Sequence, residues 1–145
     1  MSHRDEIDQR LVYLSASKAK YTVLLFWDVD CGHCKKEVPI LQAYYDSLHA
    51  AGISFEVYAV HSELDEVGWK QYIKEHKLKW VNVHSTDRQE LGTAKYYYDV
   101  FSTPTIVLLD KNKNIVAKRI DADNLKIVLN REIDKARKQN AAGGH

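Results

Sequence analysis

Two hydrophobic periods alternate along the chain. Tyr21 to Trp27 is a nearly unbroken run of apolar, β-branched and aromatic residues, the pattern of a strand buried on both faces. Val38, Leu41, Tyr45 and Leu48 then recur at spacings of 3, 4 and 3, which predicts the core stripe of a helix from about Cys34 to Ala50. Pro39 lies inside that helix and predicts a kink. Gly52 predicts its end. Ile53 to Val60 is again mostly apolar, so a strand, a helix and a strand follow one another as a βαβ unit with a right-handed crossover.

The remaining pattern extends this alternation. Glu63 to His76 reads as an amphipathic helix with Val67, Trp69, Tyr72 and Ile73 as its apolar members, and Trp80 to Val83 as a short strand. Asp87 to Tyr98 is a helix capped near Thr86 or Asp87. Thr105 to Leu109 is a strand, residues 111 to 114 a turn, and Ile115 to Ile120 the returning hairpin partner. Asp121 or Asp123 can cap a last helix with Leu125, Val128, Leu129 and Ile133 on one face. The order β–α–β–α–β–α–β–β–α predicts an α/β sandwich of three layers, a central sheet flanked by helices. Tyr96, Tyr97, Tyr98, Trp69 and Trp80 are expected to pack in it rather than to form a ligand platform.

Length and charge bound the picture. The chain has 145 residues, enough for one domain. Residues 1–20 read as an N-terminal extension, helix or edge strand, residues 21–139 as the domain, and residues 140–145 as a disordered tail. A formal net charge of +1 argues against a broad basic surface for nucleic acid. No apolar run approaches the ~18 residues of a membrane span, and the polar start of the chain has no secretory apolar core. On that ground the protein is either cytoplasmic or begins after a removed signal.

The two cysteines carry the chemistry. They are the only two in the chain and stand three positions apart, in Cys31-Gly32-His33-Cys34. A structural disulfide stabilises by closing a long loop, and this loop is nearly the shortest there can be. The pair is better read as a reactive dithiol or half of a metal site. Cys31 sits where a strand ends and a helix begins, where unpaired N–H groups and the helix dipole favour a thiolate over a thiol of pKa ~8.5. Cys31 is therefore expected to attack and Cys34, one turn on, to resolve. His33 can stabilise the thiolate when cationic, whereas Asp30 opposes it. The potential is expected between roughly −270 and −180 mV, with the direction of electron flow undetermined. Glu37, three residues after Cys34, is either a proton shuttle for it or a solvated helix residue. Thr103-Pro104 precedes an apolar strand, and a cis proline there would leave backbone open to pair with an extended substrate.

Phe26-Trp27, the C-G-x-C, Pro39 and Thr103-Pro104-Thr105 together resemble the thioredoxin superfamily. Cys31-Gly32-His33-Cys34-Lys35-Lys36-Glu37-Val38-Pro39 is similar to the TlpA/ResA-like branch of extracytoplasmic thiol oxidoreductases, over roughly Tyr21 to Arg137. The resemblance implies a thioredoxin fold with that branch's insertion between the second core strand and a cis proline. It implies Cys31, Cys34 and Glu37 as catalytic residues, and Trp27, His33, Thr103 and Pro104 as substrate-binding residues. It implies protein dithiol or disulfide substrates, a redox partner that recycles the pair, no cofactor or metal, a monomer, and a periplasmic or membrane-anchored place. Three positions depart from classical thioredoxin. Leu25 stands where thioredoxin has a buried acid, so a proton-handling carboxylate would be Glu37 or Asp28. Asp30 replaces the tryptophan before the first cysteine. Gly-His replaces Gly-Pro between the cysteines.

A metal-binding or chaperone-like module using the dithiol as ligands is the alternative. It needs further ligands, and His33, His61, His76 and His84 come without a second C-x-x-C or an H-x-x-x-H. Lys35 stands where a c-type haem motif needs histidine.

Overall fold

A computed structural model describes residues 18–61, 65–84, 98, 100 and 102–143. Their elements are β1 (Tyr21–Trp27), α1 (Gly32–Ala50), β2 (Phe55–His61), α2 (Glu66–His76), β3 (Val81–His84), β4 (Thr105–Leu109), β5 (Ile115–Ile120) and α3 (Ala122–Gly143). One sheet has the order β3-β2-β1-β4-β5. β1 runs parallel to β2, from Tyr21 opposite Phe55 to Trp27 opposite His61, and antiparallel to β4. β2 and β3 are parallel, and β4 and β5 form the antiparallel hairpin.

β1 is central, and its side chains divide between two cores as a period of two requires. Val23, Leu25 and Trp27 join Val38, Leu41 and Leu48 of α1 and Leu125 and Leu129 of α3. Leu24 and Phe26 face the other way, against Tyr58, Val107, Leu109 and Val100, with Tyr98 packed on Phe26. That two-sided burial accounts for the unbroken apolar run. Trp69 and Trp80 are both buried in the first core, as packing residues rather than a platform.

The boundaries show which local signals govern. α1 begins two residues before the apolar stripe implies, because Cys31 itself is its N-cap. It runs through Pro39 to Ala50 with Ala51 as its C-cap, and Gly52, whose φ is +73°, lets the chain turn back. α2 begins at Glu66 rather than Glu63, because Asp65 Oδ1 accepts the Gly68 N–H at 2.9 Å. Asp121 Oδ1 accepts the Asn124 N–H at 2.7 Å, so Asp121 and not Asp123 caps α3. α3 continues to Gly143. Residues 140–143 are therefore helical rather than part of a disordered tail, as the good helix formers Ala141 and Ala142 allow. The N-terminal extension before residue 18 and the helix read at Asp87 to Tyr98 lie outside the described residues, apart from Tyr98.

Candidate functional site

The site forms where β1 ends. Asp28, Val29 and Asp30 make a tight turn in which the Cys31 N–H donates to the Asp28 carbonyl at 3.2 Å. The Asp30 N–H donates to Asp28 Oδ1 at 3.0 Å. Cys31 has extended backbone angles, φ −88° and ψ 119°, the conformation an N-cap needs. Its sulfur accepts the Cys34 N–H at 3.2 Å, so that sulfur is itself the cap of α1. An anion there satisfies one of the helix's unpaired donors and meets the positive end of its dipole.

The two thiols differ in access and in acidity. Cys31 is half-buried and Cys34 is 0% exposed. Burial raises the Cys31 thiol. Hydrogen bonds from Cys34, from Thr103 and from the backbone N–H groups of Cys34 and His33 outweigh it, and the pKa falls below the ordinary 9.0. Burial pushes Cys34 up to about 12, helped by its hydrogen bond with Cys31 and by that neighbour's charge, against an opposing N–H bond from Asp28. His33 contributes to Cys31 through its backbone N–H, where the sequence pointed to the charge of its ring.

Thr103 and Pro104 close the other side. The peptide between them is cis, and the Cys31 thiol lies 3.4 Å from the Thr103 carbonyl, across 72 residues of chain. Thr105 Oγ1 donates to the Ser102 carbonyl at 2.6 Å. Beside the pair opens a cleft of about 690 Å³ lined by His33, Lys36, Glu37, Thr103, Pro104 and Arg119. Arg119 has a φ of 58° where the β4–β5 register slips after Ile106, a bulge of the kind that re-aims a side chain. Nothing in its sequence neighbourhood marks it, since an arginine on an edge strand is ordinary.

The structure therefore gathers Cys31, Cys34, His33, Thr103 and Pro104. It places two other candidates differently. Trp27, expected to meet substrate, is 1% exposed. A strand buried on both faces sends this residue under the site, where its ring packs on His61 at 5.4 Å and Tyr72 at 5.3 Å. Glu37 is half-buried at the cleft, and its Oε2 accepts the Ala122 N–H at 2.8 Å, tying α1 to the start of α3.

Sequence reasoning missed one residue, weighing it only as a metal ligand. His61, at the end of β2, is fully buried opposite Trp27, and its Nε2 accepts the Val29 N–H at 3.2 Å. The signal was available in the pairing of two parallel strands of equal length, which puts His61 beside the turn that carries Cys31. Among the described residues no three or more His, Cys, Asp and Glu side chains gather as a metal ion would need. No helix among them is long and apolar enough to cross a membrane.

Comparison with known proteins agrees with this geometry. A thiol-disulfide oxidoreductase ResA from Oceanobacillus iheyensis is 31% identical over 129 residues, which is 87% of this chain and 64% of that protein. The ResA of Bacillus cereus is 28% identical over 79% of this chain and 63% of its own length, so the chain spans under two-thirds of these relatives. A solved thiol:disulfide interchange protein from Bacteroides sp. superposes with a TM-score of 0.74 at 28% identity, covering 91% of this chain and 85% of its own. The thioredoxin domain of a thiol-disulfide oxidoreductase from Bacteroides vulgatus does so at 0.71 and 30%, covering 81% and 82%. The thioredoxin-like family model matches residues 18–115, from the strand before the cysteine pair through the hairpin turn, and the chain belongs to that family.

Proposed function

We propose that this chain catalyses thiol–disulfide exchange with protein substrates, Cys31 attacking and Cys34 resolving. The observation that carries the proposal is the asymmetry of the pair. One sulfur is accessible, caps a helix and has a lowered pKa, and the other is buried with a pKa pushed up to about 12. Written for reduction, the Cys31 thiolate attacks a substrate disulfide, an S–Cys31 bond forms, and one substrate thiolate leaves and takes a proton. Cys34 then loses its proton and attacks Cys31 Sγ. The mixed disulfide breaks, the second substrate thiol leaves, and two electrons have passed from the pair to the substrate. An external dithiol must restore the pair, and the same steps run backward oxidise a substrate.

Cys34→Ser removes the second step alone. The expected result is a mixed disulfide that accumulates on Cys31, seen as a mass increase equal to the substrate thiol and reversed by dithiothreitol. Normal turnover of this variant would reverse the order of the two thiols.

Glu37 belongs to the proposal in two roles that one variant separates. Its carboxylate caps Ala122, and, three residues after Cys34 on the same helix, it is proposed to take a proton as that thiol is deprotonated. In Glu37→Gln the amide oxygen keeps the Ala122 bond, so the urea midpoint is expected to stay near wild type while resolution slows. Glu37→Ala loses the bond as well and about 1 kcal/mol of stability. An exchange pH profile unchanged in Glu37→Gln leaves Glu37 a structural residue.

The cleft beside Thr103 and Pro104 is the proposed substrate surface. A place outside the cytoplasm follows from the resemblance to the TlpA/ResA branch, and fractionation of the native host tests it. Zinc or copper titration of the reduced protein tests the alternative reading. Tight one-to-one binding without turnover of a disulfide would favour a metal-binding module.

A further inference from the structure

His61 has an environment that packing alone does not require. It is 0% exposed, its ring lies edge-on to Trp27, and it stacks on Trp69 at 6.1 Å and on His84 at 5.2 Å. Both ring nitrogens are engaged. Nε2 accepts the Val29 N–H at 3.2 Å, so in this arrangement Nε2 carries no proton. The ring proton of the neutral form is then on Nδ1, which faces His84 Nδ1 at 3.1 Å and can donate to it. Val29 is the middle residue of the turn in which Asp28 accepts the Cys31 N–H. A chain of hydrogen bonds thus runs from His84 through His61 to the backbone that holds the reactive cysteine.

We propose that His61 is a positioning residue for the reactive pair: held as its Nδ1–H tautomer by His84, it fixes the Asp28–Cys31 turn through the Val29 N–H. The proposal rests on Cys31 being the attacking thiol. It also assigns a pH response. The charged and titratable groups around His61, among the described residues, are Asp28 after β1, His84 on β3 and Asp65 before α2. Asp28 Oδ1 lies 3.5 Å from Nε2. A proton arriving at Nε2 would turn it from the acceptor of Val29 into a donor to Asp28. The Val29 bond is then lost, and Asp28 Oδ1, which also holds the Asp30 N–H, is drawn to the ring. Burial and the neighbouring His84 oppose that proton and keep His61 below the ordinary 6.5, against the pull of Asp28 and Asp65. The turn is therefore intact at neutral pH and loosens as the medium becomes acid.

Two measurements test this. A long-range ¹H–¹⁵N correlation spectrum of the histidine rings in the wild-type protein at pH 7.5 reads the tautomer directly. An Nδ1-protonated His61 is expected, and an Nε2-protonated ring overturns the proposal. Alkylation of Cys31 by iodoacetamide across pH 5 to 9 reads the consequence. His61→Leu removes the acceptor and is expected to slow alkylation at pH 7 by about tenfold, one unit in the apparent pKa. His61→Gln, whose amide oxygen can accept the Val29 N–H without titrating, is expected to restore the rate to within about twofold and to lose the acid inflection. A His61→Leu profile that superimposes on wild type overturns the proposal, as does a His61→Gln variant as slow as His61→Leu. The tautomer is read from the unaltered chain without reference to either thiol. An Nε2-protonated ring therefore overturns the proposal even where His61→Leu does not fold, and peptide mapping tests the order of the thiols separately.

Discussion

Cys31→Ser is expected to reduce insulin-type disulfide turnover to the uncatalysed background, a loss on the order of 10³-fold or more. The physical reason lies in what remains. A serine hydroxyl is not ionised at neutral pH and cannot attack sulfur usefully. The surviving thiol cannot take over, because Cys34 is 0% exposed and its pKa is pushed up to about 12. The fold should be untouched. Serine is among the best N-caps, and its oxygen can accept the Cys34 N–H that Cys31 Sγ accepts at 3.2 Å. A urea midpoint within about 0.5 kcal/mol of wild type is therefore expected alongside the lost activity. Substantial residual turnover would show that the nucleophile is elsewhere.

Trp27→Ala is expected to cost about 3–5 kcal/mol of stability, the largest effect of any single truncation near the site. Trp27 is 1% exposed and fills the space under the turn, against His61 and Tyr72. Its indole nitrogen makes no hydrogen bond among the described residues, so the loss is one of volume and contact. Trp27→Phe retains much of that volume and should cost about half as much. Urea denaturation measures both. Because the indole does not reach the surface, Trp27→Phe should also leave KM for a peptide disulfide unchanged. A raised KM at unchanged stability would return Trp27 to the substrate surface.

Much of the fold could be read from the chain because local and tertiary signals agree in it. β4 and β5 begin and end where β-branched runs meet turn residues, at Thr105–Leu109 and Ile115–Ile120. The helix after the cysteines shows its stripe plainly, and Val38, Leu41, Tyr45 and Leu48 are all buried. What was less legible follows from two physical facts. Caps override stripes at helix ends, so Cys31 and Asp65 set starts that periodicity misplaces by two or three residues. A strand buried on both faces carries no mark of which side chain reaches the surface, which is why Trp27 passed for a substrate contact. The proposed reactive pair was legible because it lies within four consecutive residues at a helix start. The His61 support was not, because it depends on strand register across the sheet, which places Trp27 opposite His61 and His61 opposite His84.

The cysteine pair itself is now defined by its inequality. The motif alone left the acidity of Cys31 suspended between His33 and Asp30. The hydrogen bonds at the start of α1 resolve its direction as lowered, and burial resolves that of Cys34 as raised. The direct test is alkylation of the reduced protein by iodoacetamide as a function of pH, with the modified cysteine identified by peptide mapping. The expected result is single modification at Cys31 with an inflection below 9.0, and Cys34 unreactive until the protein unfolds. First modification at Cys34, or equal rates at the two thiols, would contradict the assignment of attacking and resolving cysteine.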